Sequence, residues 1–221
     1  VTGDAEGEVL EQRPVPALDV PGLVRVLEGF LGAIDQVPPM YSALKHKGER
    51  LYNLARQGVE VERQSRSVTI HALELLHLEG SVADLRVHCS KGTYVRTLVE
   101  DIGAELGCGA HVAGLRRIGV GPFDDSRLVS MATLEAFAGA GDFFGMDRLL
   151  LPIEDGLSQW PGVRLSGDAA FYLRQGQPVL VPQAPTAGWV RLYEGERQFM
   201  GMGEILDDGR VAPRRLMSAR R

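Results

Sequence analysis

Between Leu85 and Leu98 the chain carries Arg86, His88, Lys91 and Arg96 and no acidic residue. The centre of this stretch, Cys89-Ser90-Lys91-Gly92-Thr93-Tyr94-Val95-Arg96-Thr97, runs from an alternating, strand-like segment into an amphipathic helix. Val95, Leu98, Val99, Ile102 and Leu106 pattern that helix and Gly107 closes it. Thr93 is the natural N-cap. A helix N-terminus carries partial positive charge and favours acids in its first turn. Here Arg96 sits in that turn and Lys91 just before it. Positive charge at that end costs stability unless an anion is brought to it, and a phosphate or a partner carboxylate would do so. An Arg96–Glu100 pair is the local alternative, in the weaker basic-before-acidic order. Tyr94 offers a face on which a base could stack, or is an ordinary half-buried aromatic.

A second candidate stretch is Gln36-Val37-Pro38-Pro39-Met40-Tyr41-Ser42-Ala43-Leu44-Lys45-His46-Lys47-Gly48. Two prolines stiffen its approach, and Tyr41, Lys45, His46 and Lys47 interleave an aromatic with basic groups, which suits a nucleic-acid backbone. A solvated loop explains the same residues. His46, His71, His77, His88 and His111 show no metal-ligand spacing with cysteine or carboxylate. Neither a Gly-x-Gly-x-x-Gly nor a Walker-type loop occurs. The expectation is therefore no metal catalysis. Cys89 and Cys108 lie outside any Cys-x-x-Cys pattern and suit reduced thiols, that of Cys89 buried at the end of a strand.

The elements that must hold these residues follow from periodicity. Leu23, Val26, Leu27, Phe30 and Leu31 mark a helix with Asp19 as N-cap and Gly32 as stop. A loop marked by Pro38-Pro39 and a short helix from about Glu49 to Gln57 follow. The runs 67–78 and 81–89 predict a hairpin turning at Glu79-Gly80. Leu115, Ile118 and Val120 lie in a glycine-punctuated strand or loop, and short helices are expected around Leu134, Leu149 and Asp168–Leu173. After Gln159-Trp160-Pro161-Gly162 the texture changes to short β-like runs at 189–193, 198–205 and 210–217. The composition is that of a folded globular chain, 44% hydrophobic and 24% charged, with no apolar run of membrane-spanning length. The formal net charge of −5 speaks against nucleic acid. Its distribution does not, because basic residues concentrate at 85–98 and from Arg210 onward, and local patches set phosphate affinity. Val1-Thr2-Gly3-Asp4 resembles the end of a strand entering a turn, so the expectation is a chain cut from a longer protein. The fold class is α+β, with a larger domain over 1–158 and a small β-rich one over 159–221.

Three runs carry a resemblance: QVPPMYSALKHKGERLYNLARQGVEVERQSRSVTI, CSKGTYVRTLVEDIGAELGCGAHVAGLRRIGVGPF and FMGMGEILDDGRVAPRRL. Together, and in this order, they closely resemble the TruB family of bacterial tRNA pseudouridine synthases. The resemblance implies a mixed-sheet pseudouridine-synthase domain followed by a small RNA-binding PUA domain. It also implies isomerisation of one uridine of the tRNA T-arm, a cytoplasmic monomer, no cofactor, and tRNA bound at both T-arm and acceptor end. Tyr94 resembles the tyrosine that lies against the flipped-out uracil, Arg96 the arginine paired with the catalytic aspartate, and Leu115 a leucine of the base pocket. Tyr41, Lys45, Lys47, Lys91, Arg214 and Arg215 are the expected RNA contacts. The family's catalytic Gly-Thr-Leu-Asp-Pro does not occur in these 221 residues. Asp4 and Asp101 are poor substitutes, so the chain alone is expected to be inactive. The partner of Arg96 is expected to belong to the motif that is lacking. A non-catalytic RNA-binding or RNA-folding protein is the alternative.

Overall fold

A computed structural model describes residues 2–9 and 11–217. It divides into two compact units, Val1–Arg116 and Arg117–Arg221. In the first unit, helix α1 (Val20–Glu28) begins as its residues predict, with Asp19 Oδ1 accepting the Gly22 N–H at 2.7 Å. It ends at Gly29, short of the expected Gly32, because Gly32 with φ of 88° opens a strand, β1 (Gly32–Gln36), where a loop was expected. Strands β4 (Arg66–Glu79) and β5 (Val82–Cys89) form the predicted hairpin, and the antiparallel sheet runs β1-β4-β5. Helix α3 (Val95–Glu105) and α1 close one face: Leu23, Leu27, Ile70, Leu98 and Ile102 make the core, each 4% exposed or less. Cys89 is half-buried against this core, and both Cys89 and Cys108 are free thiols. A two-residue hairpin, β2 (Lys45–His46) with β3 (Glu49–Arg50), leads into α2 (Leu51–Arg56).

In the second unit, α4 (Met131–Gly139) and α5 (Phe143–Asp147) occupy a stretch, 117–158, in which no residue is buried. The ordered core comes after it. Strand β6 (Gly162–Leu165) pairs parallel with β7 (Gly188–Glu194), and β7, β8 (Gln198–Ile205) and β9 (Val211–Leu216) are antiparallel neighbours. A parallel neighbour needs a crossover, and helix α6 (Gly167–Arg174) supplies it, burying Ala170 and Leu173 against Val163, Leu165, Val190 and Leu192. Gly201 and Gly203 let neighbouring strands of this sheet come close. A Cβ on Gly201, whose φ is 135°, would stand 2.0 Å from the Arg215 carbonyl oxygen, and one on Gly203 would stand 2.8 Å from that of Ala212.

Candidate active site

The strand-to-helix corner between β5 and α3 differs from its expected form by one residue. Gly92 turns the chain with φ of 88°. The Thr93 hydroxyl donates backward to the Ser90 carbonyl at 2.9 Å, so Tyr94 becomes the N-cap and no side chain of the helix caps it. Tyr94 is held from elsewhere. Gln36, the last residue of β1 and only 2% exposed, accepts the Tyr94 N–H on Oε1 at 3.0 Å and donates Nε2–H to the Tyr94 carbonyl at 3.3 Å.

Arg96 follows two residues later, and its positive charge at the helix N-terminus is met by a carboxylate and two carbonyls. One guanidinium nitrogen donates to the Thr2 carbonyl at 3.0 Å and to Asp4 Oδ2 at 3.1 Å, and the other donates to the Tyr41 carbonyl at 3.0 Å. Asp4 is thus a carboxylate partner inside the chain, where the partner was expected in the lacking motif. Glu100, the local alternative, makes no ion pair with Arg96. Both members of the Arg96–Asp4 pair retain under a third of their side-chain exposure. The Thr2 hydroxyl donates to Asp4 Oδ1 at 2.6 Å. That bond is the main reason the Asp4 carboxyl lies below its ordinary pKa. Partial burial opposes the shift, and the Arg96 guanidinium adds to it. Burial instead pushes the Glu100 and Asp101 carboxyls up.

The 2–5 segment is itself fixed. Ala5 N–H donates to the Val112 carbonyl at 3.0 Å and Val112 N–H to that of Gly3 at 3.1 Å. The turn before Val112 lies against α3 at Gly103, where a Cβ would stand 2.1 Å from the Ala110 nitrogen, and Gly109 N–H donates to the Gly103 carbonyl at 2.8 Å.

Of the residues singled out by sequence, Tyr41, Tyr94 and Arg96 meet at this corner. Leu115 lies 67% exposed on the strand-free segment after Val112. Lys45 and Lys47 are exposed at the β2–β3 hairpin, Lys47 at its tip with φ of 49°, and Lys91 is exposed in the turn before Tyr94. Arg214 and Arg215 lie on β9 in the other unit. Arg214 pairs with Glu204 at 2.7 Å, and Arg210 pairs with Asp208. Arg220 and Arg221 lie outside the described residues. Sequence reasoning did not find Thr2, Asp4 and Gln36 as parts of the corner. The first two had one usable signal, the Thr2-Gly3-Asp4 run that reads as a turn; in the structure Gly3 turns with φ of 74°.

The fold is shared with solved structures. A Cbf5-Nop10-Gar1 complex matches with a TM-score of 0.69 at 22% identity, over 91% of this chain and 63% of that one. An H/ACA RNP bound to a substrate RNA containing 2'-deoxyuridine matches at 0.65 and 22%, over 87% and 56%. At that identity the likeness is one of fold, and the chain spans less than two thirds of either. The sequence narrows the class. Residues 1–95 match the TruB family pseudouridylate synthase N-terminal domain, 96–158 the tRNA pseudouridylate synthase B C-terminal domain, and 161–217 the pseudouridine synthase II TruB C-terminal family. The tRNA pseudouridine synthase B of Nitrosococcus oceani is 56% identical over 98% of this chain and 70% of its own length. That of Coxiella burnetii is 52% identical over 99% and 71%. The chain belongs to the TruB family of pseudouridylate synthases.

Proposed function

We propose that this chain forms the greater part of an enzyme that isomerises a uridine of the tRNA T-arm to pseudouridine without a cofactor. Family membership and one observation carry the reading: an arginine at a helix N-terminus, tied to a carboxylate and two main-chain carbonyls, directly beside Tyr94. Moving a uracil from nitrogen to carbon attachment requires a carboxylate beside a base taken out of its stack. In this reading the Arg96 guanidinium takes up such a carboxylate, and Tyr94 and Leu115 wall the base. Asp4 is a holder and not the nucleophile, because Thr2 and Arg96 engage both its oxygens. The nucleophile belongs to a Gly-Thr-Leu-Asp-Pro motif that these residues do not contain.

The chain as it stands, given unmodified tRNA, forms no pseudouridine, whereas a protein that carries the motif ahead of it does. Equal turnover by the two overturns the assignment of the nucleophile. Turnover by neither supports a protein that only binds or folds RNA.

Residues 1–158 make the catalytic domain in this reading, with Tyr41, Lys45, Lys47 and Lys91 on the phosphates. Residues 159–221 act as a PUA-like module for the acceptor end, through Arg214 and Arg215. Removing 159–221 weakens whole-tRNA binding and flattens its salt dependence, while a saturating T-arm stem-loop reacts nearly as before. Equal losses on both substrates would mean that the module supports the catalytic fold instead. Among the described residues no helix is long and apolar enough to cross a membrane. A cytoplasmic monomer fits the reading.

A further inference from the structure

A buried polar side chain must be paired, and the way it is paired shows what it organises. Gln36 is one of two buried polar residues among those described, and it spends both ends of its amide on the backbone of a single residue, Tyr94, 58 positions away. The geometry is that of a strand partner: one donor and one acceptor, side by side, facing the N–H and C=O of Tyr94. Tyr94 is the N-cap, its φ and ψ of −97° and 104° lie outside the helix, and no side-chain cap holds them there. The Tyr94 carbonyl also receives the Leu98 N–H at 3.0 Å, so the contact that fixes Tyr94 also fixes the first turn of α3, and Arg96 with it. Gln36 itself is anchored in β1, where it stands opposite Arg66 of β4.

We propose that Gln36 is a positioning residue for the uridine site: its amide sets the backbone of Tyr94, and through the first turn of α3 the aim of Arg96. The inference rests on the pseudouridine synthase reading above. A hydrophobic replacement of equal size fills the space and leaves both Tyr94 groups without their partner. A carboxyl group reproduces the amide only while protonated, when it has one donor and one acceptor.

The test compares wild type, Gln36→Leu and Gln36→Glu in a protein that carries the catalytic motif, by turnover on tRNA from acid to neutral pH. Exchange of the Tyr94 amide proton is followed in the same proteins. Gln36→Leu lowers kcat by about 100-fold, as expected for a small misplacement of reacting groups, with KM nearly unchanged. Gln36→Glu gains turnover relative to wild type as pH falls, and the Tyr94 amide exchanges faster in Gln36→Leu than in wild type. A Gln36→Leu kcat within a few-fold of wild type overturns the proposal. So does a Gln36→Glu profile parallel to wild type, which decides the matter alone if Gln36→Leu does not fold. A wild type without turnover breaks the underlying functional reading instead. An unchanged Tyr94 exchange rate in Gln36→Leu then breaks the positional claim by itself.

Discussion

Arginine–carboxylate pairs occur at both the α3 corner and the rim of the β6–β9 sheet, and they do different work. Arg96 retains 28% of its side-chain exposure and donates to Asp4 together with carbonyls of Thr2 and Tyr41, which lie far from it in sequence. Arg214 retains 46% and pairs with Glu204 across neighbouring strands, and Arg210 retains 45% and pairs with Asp208 two residues away. Exposed pairs of that kind contribute little to stability, since water competes for both partners. The corner pair gathers three chain segments onto one guanidinium. One chemical motif therefore fixes geometry where it is shielded and multiply bonded, and decorates a surface where it is not.

The sharpest way to break this contrast is Arg96→Ala in a protein carrying the catalytic motif. Single-turnover rate should fall by about 100-fold or more, because the reacting groups lose their alignment, with tRNA affinity changing far less. A near-normal rate would reduce Arg96 to the same standing as Arg214. Asp4→Asn comes next. The folded Asp4 carboxyl titrates below its ordinary value of about 3.9, so its stabilising contribution is complete above that value and is lost as pH falls through the lower, folded pKa. Thermal melts between neutral and strongly acid pH should show that acid limb in wild type and a weaker one in Asp4→Asn.

Gly201→Ala tests the other side of the comparison, where backbone packing and not charge sets geometry. The added Cβ meets the Arg215 carbonyl at a positive φ, and overpacking of this kind costs about 1–3 kcal/mol, read as an earlier denaturation midpoint. The smallest effects belong to the rim. Arg215, which has no ion-pair partner among the described residues, should on change to Ala lower the salt slope of tRNA binding by about one. Arg214→Ala should change it less, Glu204 already neutralising that charge. Equal slopes for the two variants would mean that the pairing seen at Arg214 does not persist in solution.

Much of this arrangement was legible in sequence where periodicity was long. The α1, β4–β5, α3 and β7–β9 segments carry enough alternating or helical apolar positions to declare themselves. Strands β1 and β6, Gly-Ala-Ile-Asp-Gln and Gly-Val-Arg-Leu, are too short for a period to register, and their pairing comes from distant strands. The odd charge of Arg96 was visible locally, yet its partner lies 92 residues away and no local spacing signals it. Gln36 was invisible for a different reason: its partners are main-chain groups, which every residue has. The cap moved from Thr93 to Tyr94 because the Ser90 carbonyl captured the threonine hydroxyl, a competition that sequence preference cannot rank.

The close approach at Gly103 has a mechanical consequence. Arg96 binds Thr2 and Asp4, the neighbouring Gly3 and Ala5 bind Val112, the turn before Val112 rests on Gly103, and Gly103 shares a helix with Arg96. These joints form a closed linkage and not a string. In a string the play of each joint adds to the next, so the far end wanders most. In a closed circuit, slack at any joint is limited by all the others, and the guanidinium stays on target even though the segment holding its carboxylate has no regular secondary structure of its own.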